Sequence, residues 1–284
     1  MKNIAVIGSG TMGNGIAHVF AQNDYKVDLI DLSKELLDKA LSTITSNLDR
    51  MIKKETISES DKTNTLKNIN LVEGIEKASN LYDLVVEAVT EEESIKKKVL
   101  QAIDAKIGEH CILASNTSSI PITLLAASTK HPENFIGMHF MNPVPMMKLV
   151  EIIRGYSTSS ETFSKINELT IKIGKTPAEV NDYPGFVSNR VLMPMINEAI
   201  YCVYEGVANA ENIDLVMKLG MNHPMGPLNL ADFIGLDVCL SIMDVLYEGF
   251  RDPKYRACPL LRKMVAAGKL GRKSGEGFYN YKKQ

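Results

Sequence analysis

The sequence has no tryptophan and only four cysteines in 284 residues. Cys111, Cys202, Cys239 and Cys258 stand alone, so no C-x-x-C pair offers a zinc ribbon or a thioredoxin-like dithiol. No metal is expected. Isolated cysteines in a chain of this length suit a reducing compartment, and the expectation is a cytoplasmic protein. No apolar run reaches the ~20 residues of a membrane span. The first apolar segment, residues 4–7, begins three residues in and runs into glycines, which leaves no room for a secretory leader. Charge of one sign is also missing: 32 basic residues face 34 acidic ones, for a net charge of −2. That balance gives no general attraction for nucleic acid or anionic membrane, so an anionic ligand needs a local site. With 45% hydrophobic and 23% charged residues, disordered, collagen-like and disulfide-scaffold classes are excluded as well.

What is present is an alternation of strand and helix signals, without internal repeats. Residues 3–7 and 26–31 are apolar runs that read as buried strands, with a helix over 13–23 between them. Residues 35–67 carry many charges and few breakers, as one long helix or a helical hairpin. Strands are expected at 81–89, 111–115, 135–140, 149–154 and 178–180, with a helix at 93–107. This β-α-β order predicts an α/β, Rossmann-type, mostly parallel sheet with helices on both faces. Beyond Asp182-Tyr183-Pro184-Gly185 the strand signals stop. Helices are expected over 187–206, which contains Pro194, and over 212–219 and 231–250. The length suits about two domains. They are placed at 1–183, nucleotide-binding, and 184–284, all-helical.

Gly8-Ser9-Gly10-Thr11-Met12-Gly13 spells G-x-G-x-x-G between a strand and a helix, the setting in which that pattern carries meaning. The first glycine permits a tight turn, the second a close approach of a pyrophosphate, and the third close packing of the helix on the strand. Helix-start amides and the helix dipole suit a diphosphate. Asp31 ends the next strand, where a carboxylate can accept from an adenosine ribose and repel a 2′-phosphate, which favours NAD over NADP. A glycine turn without a ligand is the alternative.

Of five histidines, His18, His110, His131 and His223 read as structural from their helix or loop settings. His139 lies near the carboxyl end of a strand, where open α/β sheets bind their ligands. Glu151 sits inside the next apolar run, where an acid is costly to bury without a partner. Pro143 and Pro145 turn the chain between them. A carboxylate on an imidazole fixes its tautomer and stabilises the imidazolium, as a base acting on an alcohol requires. A buried pair without a chemical role is the alternative. Asn116-Thr117-Ser118-Ser119 ends another strand and offers hydroxyls to a ligand, or simply a helix cap.

These motifs resemble the short-chain 3-hydroxyacyl-CoA dehydrogenase family, nearest its bacterial members. The resemblance covers the whole chain and takes in the glycine motif, Ala114-Ser115-Asn116-Thr117-Ser118-Ser119 and Lys148-Leu149-Val150-Glu151. It continues through Asp182-Tyr183-Pro184-Gly185-Phe186-Val187-Ser188-Asn189-Arg190, His223-Pro224-Met225-Gly226-Pro227 and Gly271-Arg272-Lys273-Ser274-Gly275-Glu276-Gly277-Phe278-Tyr279. It implies that His139 is the base and Glu151 its carboxylate partner, with Ser118 and Asn189 at the reacting end of the substrate. It implies cofactor contacts from Glu91, Lys96, Ser118, Asn142 and Lys273 beside the glycine motif and Asp31. It places Lys54 near the coenzyme A contact, with Asn47 where the family has a serine. The expected activity is the NAD-linked interconversion of (3S)-3-hydroxyacyl-CoA, with 3-hydroxybutyryl-CoA foremost, and 3-oxoacyl-CoA. The rivals are a dehydrogenase of a free hydroxy or sugar acid and a non-catalytic cofactor binder. The apolar helices 187–206 and 231–246 exceed what a ~100-residue domain buries alone. A homodimer through the carboxy-terminal domain is therefore expected, and the resemblance implies the same.

Overall fold

Ile4, Ala5, Val6 and Ile7 are buried on both faces of β1 (Asn3–Ile7), as a central parallel strand between two helical layers demands. The computed structural model describes residues 1–282. The chain divides into two units, Met1–Tyr183 and a second from Pro184 onward. In the first unit β1 is followed by α1 (Thr11–Gln22), β2 (Lys26–Asp31), α2 (Lys34–Lys53), α3 (Glu59–Lys67) and β3 (Ile69–Glu73). Then come β4 (Leu84–Glu87), α4 (Glu93–Asp104), β5 (Ile112–Ser115), the short α5 (Ile122–Ala126) and β6 (Phe135–Phe140). β7 (Leu149–Arg154), α6 (Ser160–Lys172) and β8 (Thr176–Asn181) complete the unit. The strands form one eight-stranded sheet in the order β3-β2-β1-β4-β5-β6-β7-β8. Every neighbouring pair is parallel except β6–β7. The chain order reverses between β1 and β4, so a crevice opens above their carboxyl ends. The turn through Pro143 and Pro145 reverses β7 against β6 and sets His139 directly opposite Glu151.

α1 covers the sheet with Ile16, Val19 and Phe20. Phe20 meets Phe140, the neighbour of His139, edge to face with ring centroids 6.3 Å apart. His18 on this helix is wholly buried, and neither ring nitrogen has a hydrogen-bond partner among the described residues. Burial, with the charge of Lys175 adding to it, lowers its pKa to about 4.

Several elements differ from the sequence expectation. Residues 35–67 form the hairpin and not one long helix. Glu55 takes a positive φ of 56° after α2, and Ser58 starts α3 in a capping box with Asp61. β3, α5 and α6 add to the predicted list. β3 is an edge strand in which only Val72 is buried, so its apolar run is weak.

The second unit consists of α7 (Ser188–Tyr204), which continues through Pro194, α8 (Ala210–Gly220), α9 (Pro227–Ile234), α10 (Leu236–Phe250) and α11 (Pro259–Ala266). Its core gathers Ile196, Ile200, Leu228, Leu236, Leu246 and Leu261. The single helix expected over 231–250 is two helices. Gly235, with φ +105°, breaks it. Just before the break, Asp232 accepts from the Phe278 and Tyr279 amides at 3.0 Å each, which ties the tail to the end of α9.

Candidate active site

The glycine motif forms the cradle its spacing predicts. Gly8 has φ +97°, and a Cβ there would lie 2.7 Å from the Ala88 carbonyl oxygen. A Cβ on Gly13 would lie 1.7 Å from the Gly8 oxygen, so only glycine lets α1 approach the strand this closely. A Cβ on Gly10 would meet nothing within 4 Å. The space over Gly10 is thus open to a ligand, and no side chain caps α1. Backbone amides and the positive end of a 12-residue helix face that space.

Asp31 closes one side. Its Oδ2 accepts from both the Ser9 amide and the Ser9 hydroxyl at 2.6 Å, and its Oδ1 from the Leu32 amide at 2.7 Å. It therefore ties the cradle to the end of β2 and keeps a negative charge beside it. The cleft holds about 680 Å³ and is lined by Gly10, Thr11, Asp31, Val89, Asn142 and Val144 among others, all of the first unit. The residues present fit a dinucleotide. The motif's Met12 differs from its neighbours, because its side chain packs against the core.

At the carboxyl end of β6, beside the amino-terminal half of the antiparallel β7, His139 Nδ1 lies 2.8 Å from Glu151 Oε2. His139 is 8% exposed and Glu151 2%. A carboxylate on Nδ1 keeps the proton of the neutral ring there and makes Nε2 the basic nitrogen. The surrounding backbone is fastened: Asn116 Oδ1 accepts from the Phe140 amide at 2.9 Å. Lys175 reaches under the β6–β7 turn and donates to the Val144 and Met147 carbonyls at 2.6 and 2.7 Å.

Glu91 and Lys96 belong to one charge cluster, buried at Glu87 and Lys96 and open to solvent at Glu91, whose side chain is 37% exposed. Lys96, 1% exposed, donates to Glu87 Oε1 at 2.7 Å and to the Val89 carbonyl at 3.2 Å, and lies 3.3 Å from Glu91 Oε2. Glu91 Oε1 accepts from the amides of Ser118 and Ser119 at 2.8 and 3.0 Å. It also accepts from the hydroxyls of Thr117, Ser118 and Ser119 at 2.6, 3.2 and 2.8 Å. Burial alone would raise the Glu91 carboxyl. Lys96 and these donors outweigh it and hold the group below the usual carboxylate range.

The structure thus brings together the cradle, Asp31 and Asn142 around one cleft, and His139 with Glu151, and Ser118 with Glu91 and Lys96. Lys54 stands exposed at the end of α2. Asn189 and Lys273 belong to the second unit: Asn189 is the second residue of α7, and the Lys273 ammonium lies 2.6 Å from Asp237 Oδ2. Glu87 was not among the expected residues. Its signal resembles that of Glu151: an acid closing the apolar run Leu84-Val85-Val86.

Two family models match the chain. That of the NAD-binding domain of 3-hydroxyacyl-CoA dehydrogenase covers residues 3–183, and that of the enzyme's C-terminal domain covers residues 185–281. The chain belongs to the 3-hydroxyacyl-CoA dehydrogenase family. It is 54% identical to a Bacillus subtilis protein named "Probable 3-hydroxybutyryl-CoA dehydrogenase", over 100% of this chain and 99% of that one. It is 53% identical to a 3-hydroxybutyryl-CoA dehydrogenase of Bradyrhizobium diazoefficiens, over 99% and 96% of the two chains. The crystal structure of (S)-3-hydroxybutyryl-CoA dehydrogenase from Ralstonia eutropha superposes with a TM-score of 0.97 at 50% identity, covering all of both chains. Within the family fold, the cradle lies in the part that the NAD-binding model matches, and so does the His139–Glu151 pair.

Proposed function

We propose that this chain is an NAD-linked dehydrogenase that interconverts (3S)-3-hydroxybutyryl-CoA and acetoacetyl-CoA. The observation that carries the reading is the buried imidazole–carboxylate pair, His139 against Glu151 at 2.8 Å, at the carboxyl end of a sheet whose glycine cradle fits a dinucleotide. Bound there, NAD supplies a nicotinamide that accepts hydride from C3 of the hydroxyacyl group or returns it. His139 takes the hydroxyl proton at Nε2 during oxidation and gives it back to the nascent alkoxide during reduction. Glu151 holds the ring by Nδ1 and offsets the charge that develops on it. Ser118 and Asn189 orient the oxygen that gains or loses the proton. Asn142 and Lys273 contact the cofactor, and Asp31 places a negative charge where a 2′-phosphate would have to sit. Lys54 meets a coenzyme A phosphate.

The helical unit serves dimerisation and substrate binding in this reading. Leu215, Val216 and Leu219 of α8 and the adjoining Met221 are between 50% and 77% exposed in the single chain. Such a run of large apolar side chains fits burial against a second copy. Four free thiols suit a reducing cytoplasm.

The test is NADH oxidation with acetoacetyl-CoA, with its C8 and C10 homologues, and with free acetoacetate. Turnover with acetoacetyl-CoA far above the other three, and with NADH far above NADPH, is expected. Equal turnover of free acetoacetate would overturn the thioester assignment. No turnover with any of them would leave only a cofactor binder.

A further inference from the structure

We infer that Glu87 is a positioning residue for substrate binding: through Lys96 and Glu91 it sets the 117–119 loop and thereby the hydroxyl of Ser118. The inference rests on the reading of Ser118 as a substrate contact. Its basis is a chain of contacts that runs in one direction, from the sheet to the loop. Glu87 ends β4 and is 0% exposed. Its Oε1 accepts from Lys96 and from the Val89 amide, both at 2.7 Å, and its Oε2 accepts from the Ser115 hydroxyl at 2.6 Å. Ser115 is its register partner on β5, and the Ser115 hydroxyl in turn accepts from the Thr117 amide at 3.2 Å. Glu87 is therefore held from three elements and forms the fixed end of the chain.

Lys96 is the link. Its three ammonium protons face three acceptors: Glu87 Oε1, the Val89 carbonyl and Glu91 Oε2. The contact with Glu87 is the shorter of the two ion pairs, 2.7 Å against 3.3 Å. Glu91 is the loop end, where its other oxygen alone gathers five donors from Thr117, Ser118 and Ser119. Two carboxylates share one ammonium, and the surplus negative charge rests on the loop donors. Neutralising Glu87 leaves Lys96 a single carboxylate partner. The ammonium then draws Glu91 toward itself, and the loop, which is wrapped around that carboxylate, moves with it. A shift of roughly 1 Å in a substrate-positioning group costs on the order of 10²-fold in rate.

The experiment is a double-mutant cycle on kcat/KM for acetoacetyl-CoA at saturating NADH, with Glu87→Gln, Ser118→Ala and the double variant. Glu87→Gln alone is expected to lower kcat/KM at saturating NADH by about tenfold or more, with a smaller loss of NADH affinity, because Lys96, Glu91 and Ser118 are also assigned to the cofactor. In the Ser118→Ala background the same change is expected to cost less than about twofold, since residues acting through one another are not additive. Glu87→Asp keeps the charge but shortens the reach. It serves where the glutamine variant does not fold, and its smaller loss is expected to vanish in the same background. Additive losses in the cycle, or a loss of NADH affinity equal to the loss in kcat/KM, would overturn the inference. Unchanged kcat/KM in Ser118→Ala alone would strike the substrate assignment of Ser118, and the inference with it.

Discussion

Replacing Glu151 with glutamine keeps the outline of the pair and removes its charge. Both side chains are nearly buried, and the contact is 2.8 Å, so water screens the pair poorly. A hydrogen bond to a charged group contributes about 1.5–3 kcal/mol net. The gross attraction at an effective dielectric of 20 and a charge separation of about 4 Å is ~4 kcal/mol, and the cost of burying the carboxylate brings it toward the same range. The imidazolium exists only once His139 has taken the proton, so this energy appears in the transition state of alcohol oxidation and not in the ground state. At about 1.4 kcal/mol per tenfold, Glu151→Gln should lower kcat for 3-hydroxybutyryl-CoA oxidation by roughly 10- to 150-fold. The assay is initial-rate NAD reduction at saturation in both substrates, beside NADH Kd by fluorescence and a thermal melt. Retained NADH affinity and a near-native melt are expected, because the cradle and the core are untouched. A kcat within threefold of the parent, in a folded protein, would refute the role given to the charge.

His18 tests the packing under the cradle. The unfolded chain protonates this group below its ordinary 6.5, whereas the folded chain, held to about 4 by burial, does not. Stability is therefore intact above pH 6.5 and is lost as the pH falls toward 4, by about 2 kcal/mol at pH 5. His18→Leu should abolish that acid slope and, by removing two unpaired buried nitrogens, raise stability at pH 7 by about 1–3 kcal/mol. Urea midpoints at pH 7 and 5 check this, and an identical slope in both proteins would contradict it. The exposed apolar run of α8 predicts that light scattering at micromolar concentration finds about twice the chain mass of 31.4 kDa. A monomer mass would mean that this face needs no partner.

Much of the first unit is legible in the sequence for a physical reason. Strands buried on both faces are continuous apolar runs, and β1, β4 and β6 are buried at nearly every position. The edge strand β3 exposes Asn70 and Glu73, carries no such run, and so does not announce itself. The break at Gly235 is likewise silent locally. A single glycine in an apolar stretch is compatible with a continuous helix, and its positive φ shows only in the folded backbone. Glu151 stands out because an acid inside an apolar run asks for a partner, and His139 lies one hairpin away. Glu87 poses the same question, but its partner is on the following helix, and the second carboxylate and the serine loop join it only in three dimensions.

The proton-transfer role of His139 is tested most directly by the pH dependence of kcat/KM measured in both directions. Oxidation needs the neutral imidazole and reduction the imidazolium. The rate of 3-hydroxybutyryl-CoA oxidation should rise with pH and that of acetoacetyl-CoA reduction should fall, through one shared ionisation that is missing from the residual activity of His139→Ala. Profiles that move in the same sense in both directions, or an ionisation that survives the loss of His139, would contradict the account.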